Sequence, residues 1–309
     1  MINNKQKCYI SYVPHGINSN LFFPIDRTDS RVQEMRNRLF NGANPEFVLL
    51  YNNRNIRRKM TSDAILAFKL FHDMVPKGKD VRFILHTQII DENGTDLPAV
   101  IEAICPELVD KVILMDDRMP TDAMNILYNS CDVTINIASN EGWGLSSTES
   151  MMAGVPLINN VTGGLQDQCR FIDHNSKWID FDEDFASNHG GKYRTHGKWV
   201  FPVFPAAINL QGSIPTPYIF DDRCNVRDVA AAINYWYTTD PERRRECGLA
   251  GREWAISPEA GFTADIMCKR FSEAVDATLA DWVAPSRFNL CDAQEEVMNG
   301  KPKHTGISI

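Results

Sequence analysis

SNEGWGLSSTESMMAGVP, from Ser139 to Pro156, is the stretch on which the fold turns. It follows an apolar run, Val133 to Ile137, that reads as a strand. It leads into Ser147 to Ala153, which reads as a helix stopped by Gly154 and followed by Pro156. A strand, a glycine-containing turn and a helix N-terminus present free backbone N–H groups at the positive end of a helix dipole, a place suited to an anion such as phosphate. Glu141 and Glu149 flank the Gly-Trp-Gly-Leu turn, eight positions apart. Two carboxylates would repel a phosphate, so their expected partners are hydroxyl groups. The ligand this stretch calls for carries both phosphates and sugars.

Outward from this stretch the pattern repeats. Phe47–Asn52, Val81–His86, Lys111–Met115, Val133–Ile137 and Val155–Asn159 read as short apolar strands. Helical patterns lie between them: one capped by Thr61 or Ser62, with Ala64, Ile65, Phe68, Phe71 and Val75 on one face, one from about Asp96 to Ile104, and one capped by Thr121 and running through Ser130. Apolar strands alternating with amphipathic helices predict an α/β fold, a doubly wound, Rossmann-like parallel sheet. Ligands of such sheets sit at the carboxyl ends of the strands. Asn52–Lys59, His86–Gln88 and Glu141–Leu145 all fall at such ends and so converge on one rim.

The flanks carry weaker patterns. Residues 1–40 read as an arm with one extended segment, Tyr9–Val13, and a short helical stretch, before a domain over 41–258. Residues 184–222, rich in Gly, Pro and aromatics, read as an irregular insertion. Helices are expected near 226–238, 241–255 and 259–282, the last with Phe262, Ile266, Phe271, Val275 and Leu279 as an apolar stripe, and a polar tail after Ala284. Residues 259–309 thus form a C-terminal helix and tail.

Composition narrows the function. With 43% hydrophobic and 23% charged residues over 309 positions, the chain has an ordinary globular profile. A net charge of −8 lacks the basic footprint of a nucleic-acid binder. No apolar run approaches the roughly 18 residues a membrane span needs, and the N-terminus lacks the apolar core of a secretory signal. The eight cysteines are scattered without a C-x-x-C pair and read as reduced thiols of a cytoplasmic protein. No His/Cys cluster has metal-ligand spacing, so neither a metal nor another cofactor is expected.

Within the expected rim, Arg54, Arg57, Arg58 and Lys59 form a basic cluster after the first core strand. Arginine grips phosphate oxygens bidentately and lysine acts as a mobile point charge, though a cluster like this one is also what a solvated loop carries. Glu149 fits a carboxylate that accepts two hydrogen bonds from a vicinal diol. Taken alone it equally fits a first-turn acid complementing the helix dipole, in a capping box with Ser146. Gly142 and Gly144 permit close backbone approach or serve a plain tight turn, and Trp143 fits either a ligand or a packing role. His15, His86, His174, His189 and His196 belong to no recognisable triad, and no P-loop or G-x-G-x-x-G follows a strand.

These residues together resemble the C-terminal, donor-binding half of retaining GT-B-fold glycosyltransferases of family 4. The E-x7-E motif stands as Glu141 to Glu149, the Arg…Lys pair as Arg54 and Lys59 in YNNRNIRRKM, and the linker signature as VPHGINSNLFFP, Val13–Pro24. HTQIIDENGTDL (86–97) and LYNSCDVTIN (127–136) match the family's intermediate blocks. The resemblance implies a nucleotide-sugar donor. Arg54 and Lys59 would hold its diphosphate, Glu149 its ribose, and backbone N–H groups around Gly142, Trp143, Gly144 and Leu145 its phosphate or sugar. Glu141 would act as the catalytic carboxylate, orienting the transferred sugar for front-face, metal-independent transfer to a glycan, lipid or protein acceptor. Two departures accompany it. Asn53 stands where the family commonly has glycine, and the linker signature begins near residue 10. The latter carries the expectation that the N-terminal acceptor domain is missing, with three readings open: a fragment, a subunit completed by a partner chain or oligomer, and a protein whose small N-terminal arm suffices. A catalytically silent nucleotide-sugar-binding module, a sugar-nucleotide epimerase and a phosphorylase are the alternative readings.

Overall fold

The computed structural model describes residues 11–179 and 193–282. The chain divides into two compact units. The larger, Val13–Lys269, contains every residue of the site discussed below. The smaller comprises Met1–Tyr12 with Arg270–Ile309, whose described part is mainly the second half of a long helix, Ala264–Asp281. The tail after Ala284, His189 and residues 184–192 of the expected insertion lie outside the described residues.

Six strands, β1 (Phe47–Asn52), β2 (Val81–His86), β3 (Val112–Met115), β4 (Val133–Asn136), β5 (Leu157–Asn160) and β6 (Val200–Val203), form one sheet in the order β3-β2-β1-β4-β5-β6. All its pairings are parallel. Both faces are buried, as a parallel sheet requires, and the period-2 alternation of β1 supplies both. Phe47, Leu49 and Tyr51 enter one core with Phe68 and Phe71 of α2 (Thr61–His72) and Ile233 and Trp236 of α7 (Val226–Thr238). Val48 and Leu50 enter the other with Leu127 and Tyr128 of α4 (Thr121–Asn129), Met151 and Met152 of α5 (Leu145–Met152), and Trp254 of α8 (Pro241–Ala255). The order reverses between β1 and β4, which opens a crevice at their carboxyl ends.

Helix ends follow local chemistry. Asp29 caps α1 (Ser30–Phe40), Asp96 caps α3 (Leu97–Ile104), Asn225 caps α7 and Asp240 caps α8, each accepting a first-turn backbone N–H. Thr61 does not cap α2. Met60 does, in the left-handed region, and the Thr61 hydroxyl instead lies 2.7 Å from that of Tyr51.

Residues 200–222 are not irregular. β6 completes the sheet, and β7 (Pro205–Ser213) pairs antiparallel with β8 (Thr216–Cys224) in a hairpin. Pro202, Pro205, Pro215, Pro217 and Gly212 hid the strands, because proline reads as a strand breaker unless it stands at an edge or a strand end. The hairpin is tied back beside the crevice. Asp222, buried at its base, accepts from Thr162 Oγ1 at 2.8 Å, while Asp222 N–H donates to Ser139 O at 2.7 Å. No helix among the described residues is long and apolar enough to cross a membrane.

Candidate functional site

The crevice between the ends of β1 and β4 is a cleft of about 410 Å³ lined by His15, Asn52, Asn53, Lys59, Glu141, Trp143, Gly144, Leu145, Ser146 and Glu149. One wall is the N-terminus of α5. Gly144 is its N-cap at φ +86°, a conformation glycine adopts without strain, and no side chain caps the helix. A Cβ on Gly144 would lie 2.5 Å from Leu165 Cδ2, so the turn is closed to larger residues on steric grounds as well. The helix thus begins at Leu145, two residues before the expected Ser147, because a left-handed glycine cap carries none of the Ser, Thr, Asp or Asn signal by which caps are read. Its first-turn N–H groups and positive dipole end face the cleft.

Opposite α5 stands a charged cluster. Lys59, almost fully buried, donates from Nζ to Asn53 Oδ1 at 2.7 Å and makes a short ion pair with Glu141 Oε2. Arg58 Nη1 reaches the same carboxylate oxygen at 3.4 Å and donates to Asn140 O at 2.7 Å. Burial pushes Lys59 below the usual lysine range, against the pull of Glu141 that favours its charged form. Glu141 is held in place by backbone too. Gly163 and Gly164 approach so closely that a Cβ on Gly163 would lie 2.0 Å from Glu141 O, and Gly164 N–H donates to that carbonyl at 3.1 Å.

Glu149 lies one turn into α5 and is partly buried. Burial raises its carboxyl above the usual range, and a hydrogen bond donated by the Tyr128 hydroxyl to Oε2, 2.7 Å, works the other way. Two polar atoms on the cleft walls, Asn53 Nδ2 and Ser146 Oγ, are buried without a hydrogen-bond partner. Buried polar groups are rarely left so, and orphans at a cleft are suited to a ligand.

The structure therefore brings together Lys59, Glu141, Trp143, Gly144, Leu145 and Glu149. Trp143 is anchored: its Nε1–H donates to Thr148 Oγ1 at 2.8 Å and its ring packs edge-on against Phe262 at 4.9 Å. Gly142 is exposed beside the cleft without lining it. Arg54 also lies off the cleft wall, its exposed guanidinium paired with Asp91 at 2.9 Å. Among the residues that sequence reasoning left unassigned, Arg58 sat in the basic cluster and Tyr128 in LYNSCDVTIN, and only the pairing of β1 with β4 shows what either touches. His15 stood within the linker signature and Ser146 in a possible capping box with Glu149, and neither reading placed them on the cleft.

Comparison with known proteins gives this geometry a context. Residues 34–177 match the family of glycosyl transferases group 1. The chain is 28% identical to alpha-monoglucosyldiacylglycerol synthase of Acholeplasma laidlawii over 158 residues, which are 51% of this chain and 37% of that protein. Among solved structures, Anabaena HepE in complex with UDP and glucose aligns with a TM-score of 0.58 and 17% identity, over 85% of this chain and 55% of HepE. The C-terminal domain of the glycosyl transferase group 1 family protein LpcC from Francisella tularensis aligns with a TM-score of 0.52 and 14% identity, over 78% of this chain and 96% of that domain. The chain thus spans 37% of the curated relative and about half of HepE. Residues 34–177 thus resemble the glycosyl transferases group 1 family, and the chain shares with GT-B glycosyltransferases a fold built on a six-stranded parallel α/β sheet.

Proposed function

We propose that this chain binds a nucleotide-sugar donor and serves as the donor half of a retaining, family 4 glycosyltransferase. One observation carries the reading: an uncapped helix N-terminus, the Lys59–Glu141 pair and Glu149 meet in a single cleft at the switch point of the sheet. The α5 N–H groups and Lys59 suit a diphosphate, with Arg54 closing from the rim. Its exposed guanidinium meets the covered Asp91 carboxylate through Nε, which leaves its other N–H groups for phosphate oxygens. Glu149 accepts from the ribose hydroxyls and Glu141 from a hydroxyl of the sugar. As the bond from anomeric carbon to phosphate oxygen breaks, negative charge grows on the departing diphosphate, so contacts from Lys59, Arg54 and the helix dipole strengthen towards the transition state without a metal. The acceptor attacks from the same face, which retains configuration. A second domain or a partner chain presents that acceptor, whether glycan, lipid or protein. The scattered cysteines support a cytoplasmic setting.

The experiment is incubation of the purified chain with UDP-, GDP- and ADP-sugars, following nucleotide binding and release. UDP-glucose comes first, because HepE has been crystallised with UDP and glucose. Binding with acceptor-dependent release supports transfer, and binding without release under every acceptor and partner condition supports a silent module. Dependence on inorganic phosphate would identify a phosphorylase, and rearrangement of the donor without acceptor an epimerase. Absence of binding to every nucleotide sugar would overturn the reading.

A further inference from the structure

Behind Glu149 a hydrogen-bond chain runs into the sheet. The Tyr128 hydroxyl donates to Glu149 Oε2 at 2.7 Å, and Asn52 Nδ2 donates to the Tyr128 oxygen at 2.7 Å. Asn52 Oδ1 in turn lies 2.8 Å from His86 Nδ1, whose ring is held on its far side by Asp117 O, 3.0 Å from Nε2. Direction is set at one end. An ionised carboxylate can only accept, so the one proton of the Tyr128 hydroxyl goes to Glu149 and its oxygen accepts from the Asn52 amide. That leaves Asn52 Oδ1 to accept from His86 Nδ1–H, and because the Asp117 carbonyl also only accepts, the ring that makes both contacts carries a proton on each nitrogen. The tyrosine is fully buried in α4 with its ring edge-on to Phe22 at 6.0 Å, so the ring is fixed and the Asn52 amide sets the turn of the hydroxyl. The chain links β1, β2, α4 and α5, and it holds Oε2 from the inner side.

We propose that Tyr128, oriented by Asn52 and His86, is a positioning residue that fixes the Glu149 carboxylate for the vicinal hydroxyls of the donor ribose, a proposal that rests on the assignment of Glu149 to the ribose. Tyr128 occupies lone-pair capacity on one oxygen and keeps the other turned to the cleft. The rotamer of Glu149 is thereby chosen before the ligand arrives, and pre-set geometry reduces the ordering cost of binding. Such a device sets selectivity for a 2′,3′-diol rather than affinity for phosphate, because Tyr128 lies behind the carboxylate and does not line the cleft.

The test compares UDP, GDP and ADP with their 2′,3′-dideoxy analogues by calorimetry, in the parent chain, in Tyr128→Phe and in Asn52→Ala. The parent should prefer the ribonucleotide roughly tenfold or more, the scale of a hydrogen bond to a charged group. Tyr128→Phe should cut that preference several-fold by weakening ribonucleotide binding alone, leaving the dideoxy affinity unchanged. Asn52→Ala keeps the hydroxyl but frees it to rotate, and should cut the preference by a smaller factor. It also carries the test if Tyr128→Phe fails to fold. A parent that binds both forms equally, or neither, removes the ribose assignment and the proposal with it. A parent that discriminates, with variants that keep the full ratio or lose both affinities alike, overturns the role of Tyr128 while leaving Glu149 on the ribose.

Discussion

At Glu149 the fold works against the charged carboxylate. Burial lifts its carboxyl above the ordinary range, so folding shifts the preference towards the neutral form relative to the unfolded chain. The contribution of that preference is fully present below the ordinary carboxylate range and is lost as pH rises through the raised value. Glu149→Gln, which keeps an oxygen for the Tyr128 hydroxyl, should therefore unfold at a higher temperature than the parent at neutral pH, by roughly 1 kcal/mol of stability. The gap should close towards acid pH, and nucleotide affinity should fall throughout. Parallel melting curves at neutral and acid pH, with calorimetric titration at neutral pH, check this, and equal melting at neutral pH would refute it. Across the cleft, Lys59→Met strands a buried Glu141 and should destabilise by about 3 kcal/mol, whereas Lys59→Met with Glu141→Gln should recover most of the loss. Urea denaturation of the three variants measures the coupling. Arg54→Ala should weaken nucleotide binding, while Glu141→Ala should chiefly impair transfer. Unchanged nucleotide affinity in both Arg54→Ala and Glu149→Ala would remove their assignment to the donor.

The strand-turn-helix from β4 to α5 depends on contacts between turns as well as on its own residues. Gly163 sits at φ +46° against the Glu141 carbonyl, where a side chain has no room. Gly163→Ala should cost about 2 kcal/mol by forcing the Glu141 segment outward, and donor binding should fall with it. A Gly163→Ala chain with parental stability in urea and parental donor affinity would show that this approach is not needed. The element itself was legible in the apolar run, the paired glycines and the helical spacing, since each is a local property of a few residues. Its neighbours Thr162-Gly163-Gly164 were not, because nothing local distinguishes a glycine under another loop from a glycine in an ordinary turn. The β7–β8 hairpin was hidden for the opposite reason: its prolines and Gly212 carry a breaker signal that an edge hairpin tolerates.

At the scale of the molecule the sheet is held between two apolar layers, and the layer under α7 depends on Trp236. Its ring is fully buried, and its Nε1–H donates to Leu157 O at 3.1 Å in β5. Trp236→Ala should destabilise by about 4 kcal/mol, read as a lowered urea midpoint, and a loss under 1 kcal/mol would mean the layer closes around the gap. The parallel sheet, its buried strands and the rim on which the candidate residues converge were set by sequence alone. Apolar runs of strand length alternating with 3.6-period helices have few ways to bury both patterns at once. Only the tertiary structure decided which side chains meet: that Arg58 reaches Glu141 while Arg54 pairs with Asp91, that Phe262 pins Trp143, and that His86, Asn52 and Tyr128 stand in line behind Glu149. These partners are brought together by a strand order that reverses between β1 and β4, and hydrophobic periodicity, being local, carries no record of that order.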